Sequence, residues 1–231
     1  LLQFEVVPGA PQPVQINKGF QVGARPADES EELVIFETAH RLFAAPAQLE
    51  ALHAQTGGHF QTLDPRASFL PFGSQPLPGN ALLLGLKGTV EPGPTLSLGF
   101  RVVSSEEAPP PSASGGSAPL PVMPPPLLEW SVFDGDRFVE AEVIFDETGQ
   151  LQRSGVLELQ LPAHWRLGRV PGLEAKEPLR WLRVRLAFGV YRQGPALAAV
   201  KLNMTRAVAA RTTFNEALEP VADSRGRQWR L

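Results

Sequence analysis

Proline and glycine set the tightest limit on what this chain can fold into. They number 24 and 21 among 231 residues, roughly one position in five against about one in eight in average proteins. A proline inside a helix removes a hydrogen bond and clashes with the preceding turn, and a glycine there costs backbone entropy. Long helices are therefore excluded, and short strands joined by tight turns are expected. The turn chemistry is explicit at Asn17-Lys18-Gly19, Pro78-Gly79-Asn80, Glu91-Pro92-Gly93-Pro94, Asp134-Gly135-Asp136, Glu147-Thr148-Gly149 and Gln193-Gly194-Pro195, where glycine supplies positive φ and proline presets the turn.

Between these turns the dominant period is two. Leu96, Leu98, Phe100 and Val102 alternate with polar or small residues, as do Leu182, Val184, Leu186 and Phe188, with Arg183 and Arg185 on the opposite face. Leu157, Leu159 and Leu161 alternate with Glu158 and Gln160, and residues 33–36 and 139–143 are further strand candidates. Such alternation is the signature of a half-buried strand. Residues 81–86 are continuously apolar, as a strand covered on both faces would be. Only residues 47–55 carry a helical spacing, through Leu49, Leu52 and His53, and nine residues fit a strand nearly as well. The fold class expected is all-β: a jelly-roll-like β-sandwich with a smaller β module before it.

Residues 104–127 break this pattern, with 8 Pro, 5 Ser and 2 Gly in 24 positions. A stretch this poor in periodic apolar residues cannot offset its ordering entropy, so an exposed polyproline-like tether is expected. The net charge is -3 overall, which gives no electrostatic case for nucleic acid or an anionic membrane. No apolar run is long enough for a spanning helix. The absence of cysteine excludes disulfide scaffolds, thiol nucleophiles and cysteine-ligated metals. The chain starts at Leu1 without a basic-then-apolar leader and is read as a piece of something longer.

Each candidate for chemistry has a plainer reading. Ser114-Gly115-Gly116-Ser117 lies in the low-complexity stretch and lacks the frame of a phosphate loop. His40, His53, His59 and His164 show no metal-ligand spacing. Asp134-Gly135-Asp136 begins like a calcium loop but lacks the later ligands, and reads better as a hairpin turn. Glu140, Glu142, Asp146 and Glu158 could supply a glycosidase pair, yet alternation sends Glu140 and Glu142 to solvent. Asn203-Met204-Thr205 matches a glycosylation sequon. Trp130, Trp165, Trp181 and Trp229 could form a sugar-binding platform, although strand tryptophans more often build cores. No catalytic, cofactor-binding or metal-ligating residue is assigned.

Taken in order, the motifs resemble the baseplate J-like family, the baseplate assembly proteins of contractile phage tails and contractile injection systems. The similar segments are Val14 to Val22, with Asn17 where the family usually has proline, and Val34-Ile35-Phe36-Glu37-Thr38. Phe69 to Gly73 and Pro78 to Leu86 follow, with Leu83 where tyrosine is common. After the proline-rich stretch come Leu128-Glu129-Trp130 to Gly135, Thr148 to Val156 with Pro162 and Trp165, Trp181 to Leu186, and Leu202-Asn203. The resemblance implies a structural, non-catalytic wedge component that packs against other baseplate and tail proteins. Neither cofactor, nucleic acid, membrane insertion nor small-molecule ligand is expected, and assembly would take place in the cytoplasm as part of a virion tail or injection particle. It also implies a division into a small β module (1–58) and a β-sandwich (59–212). The 104–127 stretch would be a surface insertion, and residues 213–231 a C-terminal extension leading into a further domain. The alternative is a carbohydrate-binding β-sandwich, with a glycoside hydrolase ranked below it. An assembly module should bury Trp130, Trp165 and Trp181, whereas a sugar binder should display two or more as a coplanar shelf.

Overall fold

The structure, a computed structural model, describes residues 1–7, 10, 12–24, 33–88, 95–103 and 123–209, and the backbone of 219–223 and 226–230. Among these residues every regular element is a strand. In chain order the first nine are β1 (Leu2–Gln3), β2 (Val14–Ile16), β3 (Gln21–Ala24), β4 (Val34–Thr38), β5 (Leu42–Ala44), β6 (Ala47–Thr56), β7 (His59–Thr62), β8 (Ala81–Gly88) and β9 (Thr95–Val102). Next come β10 (Leu127–Phe133), β11 (Phe138–Glu140), β12 (Glu142–Asp146), β13 (Gly155–Gln160), β14 (Leu167–Gly168) and β15 (Leu179–Phe188). The last are β16 (Leu197–Leu202), β17 (Met204–Thr205), β18 (Ala207–Ala209), β19 (Glu219–Asp223) and β20 (Gly226–Arg230).

Two antiparallel sheets dominate. One runs β11-β10-β15-β8-β6-β7 with β14 added on β15, and the other runs β12-β13-β9-β16. The alternation seen in the sequence decides how they meet. Leu82, Leu84 and Leu86 of β8 and Leu182, Val184 and Leu186 of β15 join Leu96, Leu98 and Phe100 of β9 and Leu157 and Leu159 of β13 in one buried cluster. Burial on this scale, at roughly 25 cal/mol per Å² of apolar surface, is the main force holding the layers face to face. The chain is thus an all-β, sandwich-like fold.

The larger sheet is also covered on its other face. Ala81 and Leu83 of β8 pack with Phe133, Trp181 and the connecting residues Val170 and Leu173. This second cluster is why residues 81–86 are apolar without alternation. Gly85 lies on that face, where a Cβ would come within 2.7 Å of Leu179 and 2.8 Å of the Trp181 ring.

The helical spacing of residues 47–55 has a β explanation. β6 pairs with β8 through Leu49↔Leu86, then Ala51↔Gly85 and Leu52↔Leu84, so Glu50 is a bulge. One extra residue resets the alternation and sends Leu49 and Leu52, three apart, to the same face. A similar discontinuity divides the expected strand at 139–143. Buried Ala141, whose N–H donates to the Trp130 carbonyl, separates β11 in the larger sheet from β12 in the smaller.

The expected boundary at residue 58 falls inside the β6–β7 hairpin, both strands of which belong to the larger sheet. β6 makes a long ladder with β8 and none with the strands before it. Of those earlier strands, β2 pairs locally with β5, and others are completed from the far end of the chain. β1 pairs with β17 (Leu2↔Thr205), and β18 pairs with β4, which pairs with β3. Of the proline-rich stretch, residues 104–122 lie outside the described residues. Its last residues are tied in: the Pro124 carbonyl accepts from Val190 N–H at 3.0 Å, and Leu127 is already part of β10. Residues 213–218 also lie outside the described residues, and β19 and β20 form a hairpin beyond them.

Candidate functional site

The residues considered for chemistry do not converge. His40, His59 and His164 are exposed, and His53 is buried on β6 with its ring 5.7 Å from that of Trp181 and its Nδ1 3.3 Å from Thr62 Oγ1. Burial holds the His53 imidazole below its ordinary range. Among the described residues no group of three or more His, Asp or Glu is placed to hold a metal ion. Asp134 closes the β10–β11 hairpin: its Oδ1 accepts from the N–H groups of Asp136 and Arg137, both at 2.9 Å. Those bonds hold its carboxyl below the usual carboxylate range. Glu140 and Glu142 are exposed on strands of different sheets.

Asn203 cannot serve as a glycan acceptor in the folded chain. It is buried, its Oδ1 accepts from Ala45 N–H and its Nδ2 donates to the Ala45 carbonyl, both at 2.9 Å. Its own N–H donates to Ser97 O, and its carbonyl accepts from Phe4 N–H. Asn203 therefore meets the β5–β6 junction through its side chain, and the first residues and β9 through its backbone. Its φ of 56° is one that asparagine tolerates better than most residues.

Trp130, Trp165 and Trp181 are 3%, 4% and 0% exposed. The indole N–H of Trp165 donates to the Trp181 carbonyl and that of Trp181 to the Gly168 carbonyl, each at 3.1 Å. These rings are core, and they form no open shelf. The side chain of Trp229 lies outside the described residues.

Sequence reasoning missed the connection between β12 and β13. Gly149, Gln150 and Leu151 are all left-handed, with φ of 58°, 64° and 58°. Thr148, fully buried, donates from its hydroxyl to Asp146 and accepts from Leu151 N–H at 2.9 Å. Gln150 Oε1 accepts from Leu128 N–H at 2.6 Å, the Tyr191 hydroxyl donates to the Gln150 carbonyl at 2.7 Å, and Ser154 Oγ accepts from Val102 N–H at 2.9 Å. Burial, with the Asp146 charge second, pushes the Tyr191 phenol far up. The turn thus clasps the strand ends on both sides of the proline-rich stretch. The Glu147-Thr148-Gly149 signal marked its position, but two consecutive non-glycine left-handed residues have no local signature.

Three surface features complete the picture. Arg183 lies 4.0 Å over the Phe138 ring and bonds Ser131; burial and then Arg185 pull its guanidinium below its usual range, opposed by Glu129. An apolar groove of 720 Å³ opens beside β2, lined by Phe4, Val6, Ile16 and Phe20. A crevice of 230 Å³ separates β12 from the segment at His40 and Arg206. Among the described residues, buried Asn80, Thr148 and Asn203 spend their polar side chains on turns and strand junctions. In comparison with known proteins, no family model and no curated protein matches this sequence.

Proposed function

We propose that this protein is a structural, non-catalytic component of the baseplate wedge in a contractile phage tail or contractile injection system, acting through packing against other baseplate and tail proteins. The jelly-roll-like winding of the sandwich belongs to the same proposal. One observation carries the reading. The segments that resemble the baseplate J-like family occur in the same order along the chain, and their distinctive residues sit at positions that hold the scaffold together. Gly85 makes room for Trp181, Thr148 and Ser154 build the β12–β13 clasp, and Asn203 locks the N-terminal strands to the sandwich. Such residues preserve shape. Stiff β layers transmit load, and edges and loops supply contact area.

Particles purified from the source and imaged by cryo-electron microscopy test the proposal. The expected result is density for this sandwich at the baseplate end of the tail. Intact baseplates that lack the chain would overturn it.

A further inference from the structure

A sheet edge leaves a row of backbone N–H and C=O groups able to pair with another strand, and proteins normally blunt such edges. Three edges of this sandwich are blunted. β11 and β7 are three and four residues long. β16 carries Lys201, and Phe69 bridges it at Leu197. β12 is different. Among the described residues it pairs only with β13, and Val143, Ile144 and Phe145, at 40%, 50% and 38% exposed, present three consecutive apolar side chains. Neither lysine nor proline interrupts the run. The ladder to β13 shifts register between Val143 and Phe145, which leaves Ile144 as an unpaired extra residue. Ile144 and Phe145 also form one wall of the crevice whose opposite side includes His40 and Arg206.

We propose that β12 is a docking edge that accepts a strand from another protein by β-augmentation, and that this strand has an apolar centre with Lys or Arg at both ends. The charge pattern selects the occupant. Glu142 and Asp146 bracket the apolar run, so a second copy of β12, laid parallel or antiparallel, would place acid against acid at both ends. Like charges directly opposite destabilise a strand pair, and opposite charges stabilise it. Self-pairing is therefore disfavoured, and a basic-flanked strand gains an ion pair at Glu142 and an attractive charge at Asp146, whose carboxylate oxygens already accept from Thr148 and Gln150. The proposal rests on the assembly reading only in taking the partner to be another subunit of the particle.

The test uses the isolated full chain and two fluorescein-labelled peptides with the same Val-Thr-Val-Thr-Val centre, one flanked by Lys-Lys at both ends and the other by Glu-Glu. Fluorescence anisotropy should show the basic peptide binding about tenfold more tightly than the acidic one, since several exposed ion pairs act together. Hydrogen exchange should slow at residues 142–146 when the basic peptide is bound. Ile144→Lys, at an exposed position that does not threaten folding, should weaken binding at least tenfold. Glu142→Lys should narrow the preference between the peptides about threefold. Equal binding of the two peptides, binding of neither, or full binding to Ile144→Lys overturns the proposal. So does a dimer in sedimentation that Ile144→Lys dissolves, because the occupant would then be a second copy. Failure here removes the docking edge and leaves the baseplate reading to be decided by where the chain sits in particles.

Discussion

Asn203 offers the sharpest test of how the two ends of this fold are joined. Asn203→Ala strands the buried Ala45 N–H, while the Ala45 carbonyl keeps the Ala47 N–H at 2.8 Å. One orphaned buried group costs about 1–3 kcal/mol, and alanine at a φ of 56° adds about 1 kcal/mol of backbone strain. The expected loss is about 2–4 kcal/mol, a large part of the stability of a typical domain. Asn203→Gly loses the same hydrogen bonds without the strain, so it should recover about 1 kcal/mol of that loss. Asn203→Asp keeps an acceptor for Ala45 N–H but sets a carboxylate oxygen against the Ala45 carbonyl. Its carboxyl should therefore titrate above the ordinary value of about 3.9. The sign follows: a raised folded-state value for an acid makes the penalty small below that ordinary value and full at neutral pH. Urea unfolding followed by the fluorescence of the three buried tryptophans measures each variant. A loss below about 1 kcal/mol for Asn203→Ala, or a glycine variant no better than the alanine one, would refute the view that this side chain joins the N-terminal strands to the sandwich.

The remaining predictions concern the core, the clasp and acid sensitivity. Gly85→Ala should cost about 1–3 kcal/mol and shift the fluorescence of Trp181, because the added methyl meets Leu179 and the indole at 2.7 and 2.8 Å; unchanged denaturation and emission would contradict this. Thr148→Val should cost about 1–3 kcal/mol by stranding the Leu151 N–H and leaving Asp146 without a hydroxyl donor, read as a lowered urea midpoint at unchanged slope. His53 is held neutral by burial, so its contribution to stability is complete above about 6.5 and is lost as pH falls below it, because the unfolded chain binds the proton first. His53→Gln should flatten stability against pH just below about 6.5, and an equally steep profile in the variant would place the acid sensitivity elsewhere.

What could be read from the sequence was what short-range chemistry decides. Strands β9, β13 and β15 announced themselves by alternation, β8 by its unbroken apolar run, and the turns at Gly19, Gly79 and Gly135 by residues that now carry positive φ. Burial of Trp130, Trp165 and Trp181 followed from their places in or beside those strands. Bulges were hidden, because one inserted residue at Glu50 or Ile144 changes facing without changing composition. The long-range pairing of the N-terminal strands was hidden for a deeper reason. Pairing of Leu2 with Thr205, or Thr38 with Ala207, is settled by which distant edge is free, and neither partner advertises the other. The role of Asn203 was concealed in the same way, since its partner Ala45 lies 158 positions away.

The pairing of β1 with β17 also bears on how the chain folds as it is made. Leu2 leaves the ribosome about two hundred residues ahead of its ladder partner Thr205, a delay of roughly 10–40 s at common synthesis rates of about 5–20 residues per second. During that interval β1 lacks its partner, and β4 lacks the neighbour β18 that completes its sheet. Contacts this distant in sequence make folding slow, because loop closure must be met before they form. Strands β1 and β4, synthesised ahead of the sandwich, are thus completed only after it, and until then their exposed edges are natural clients for a holding chaperone.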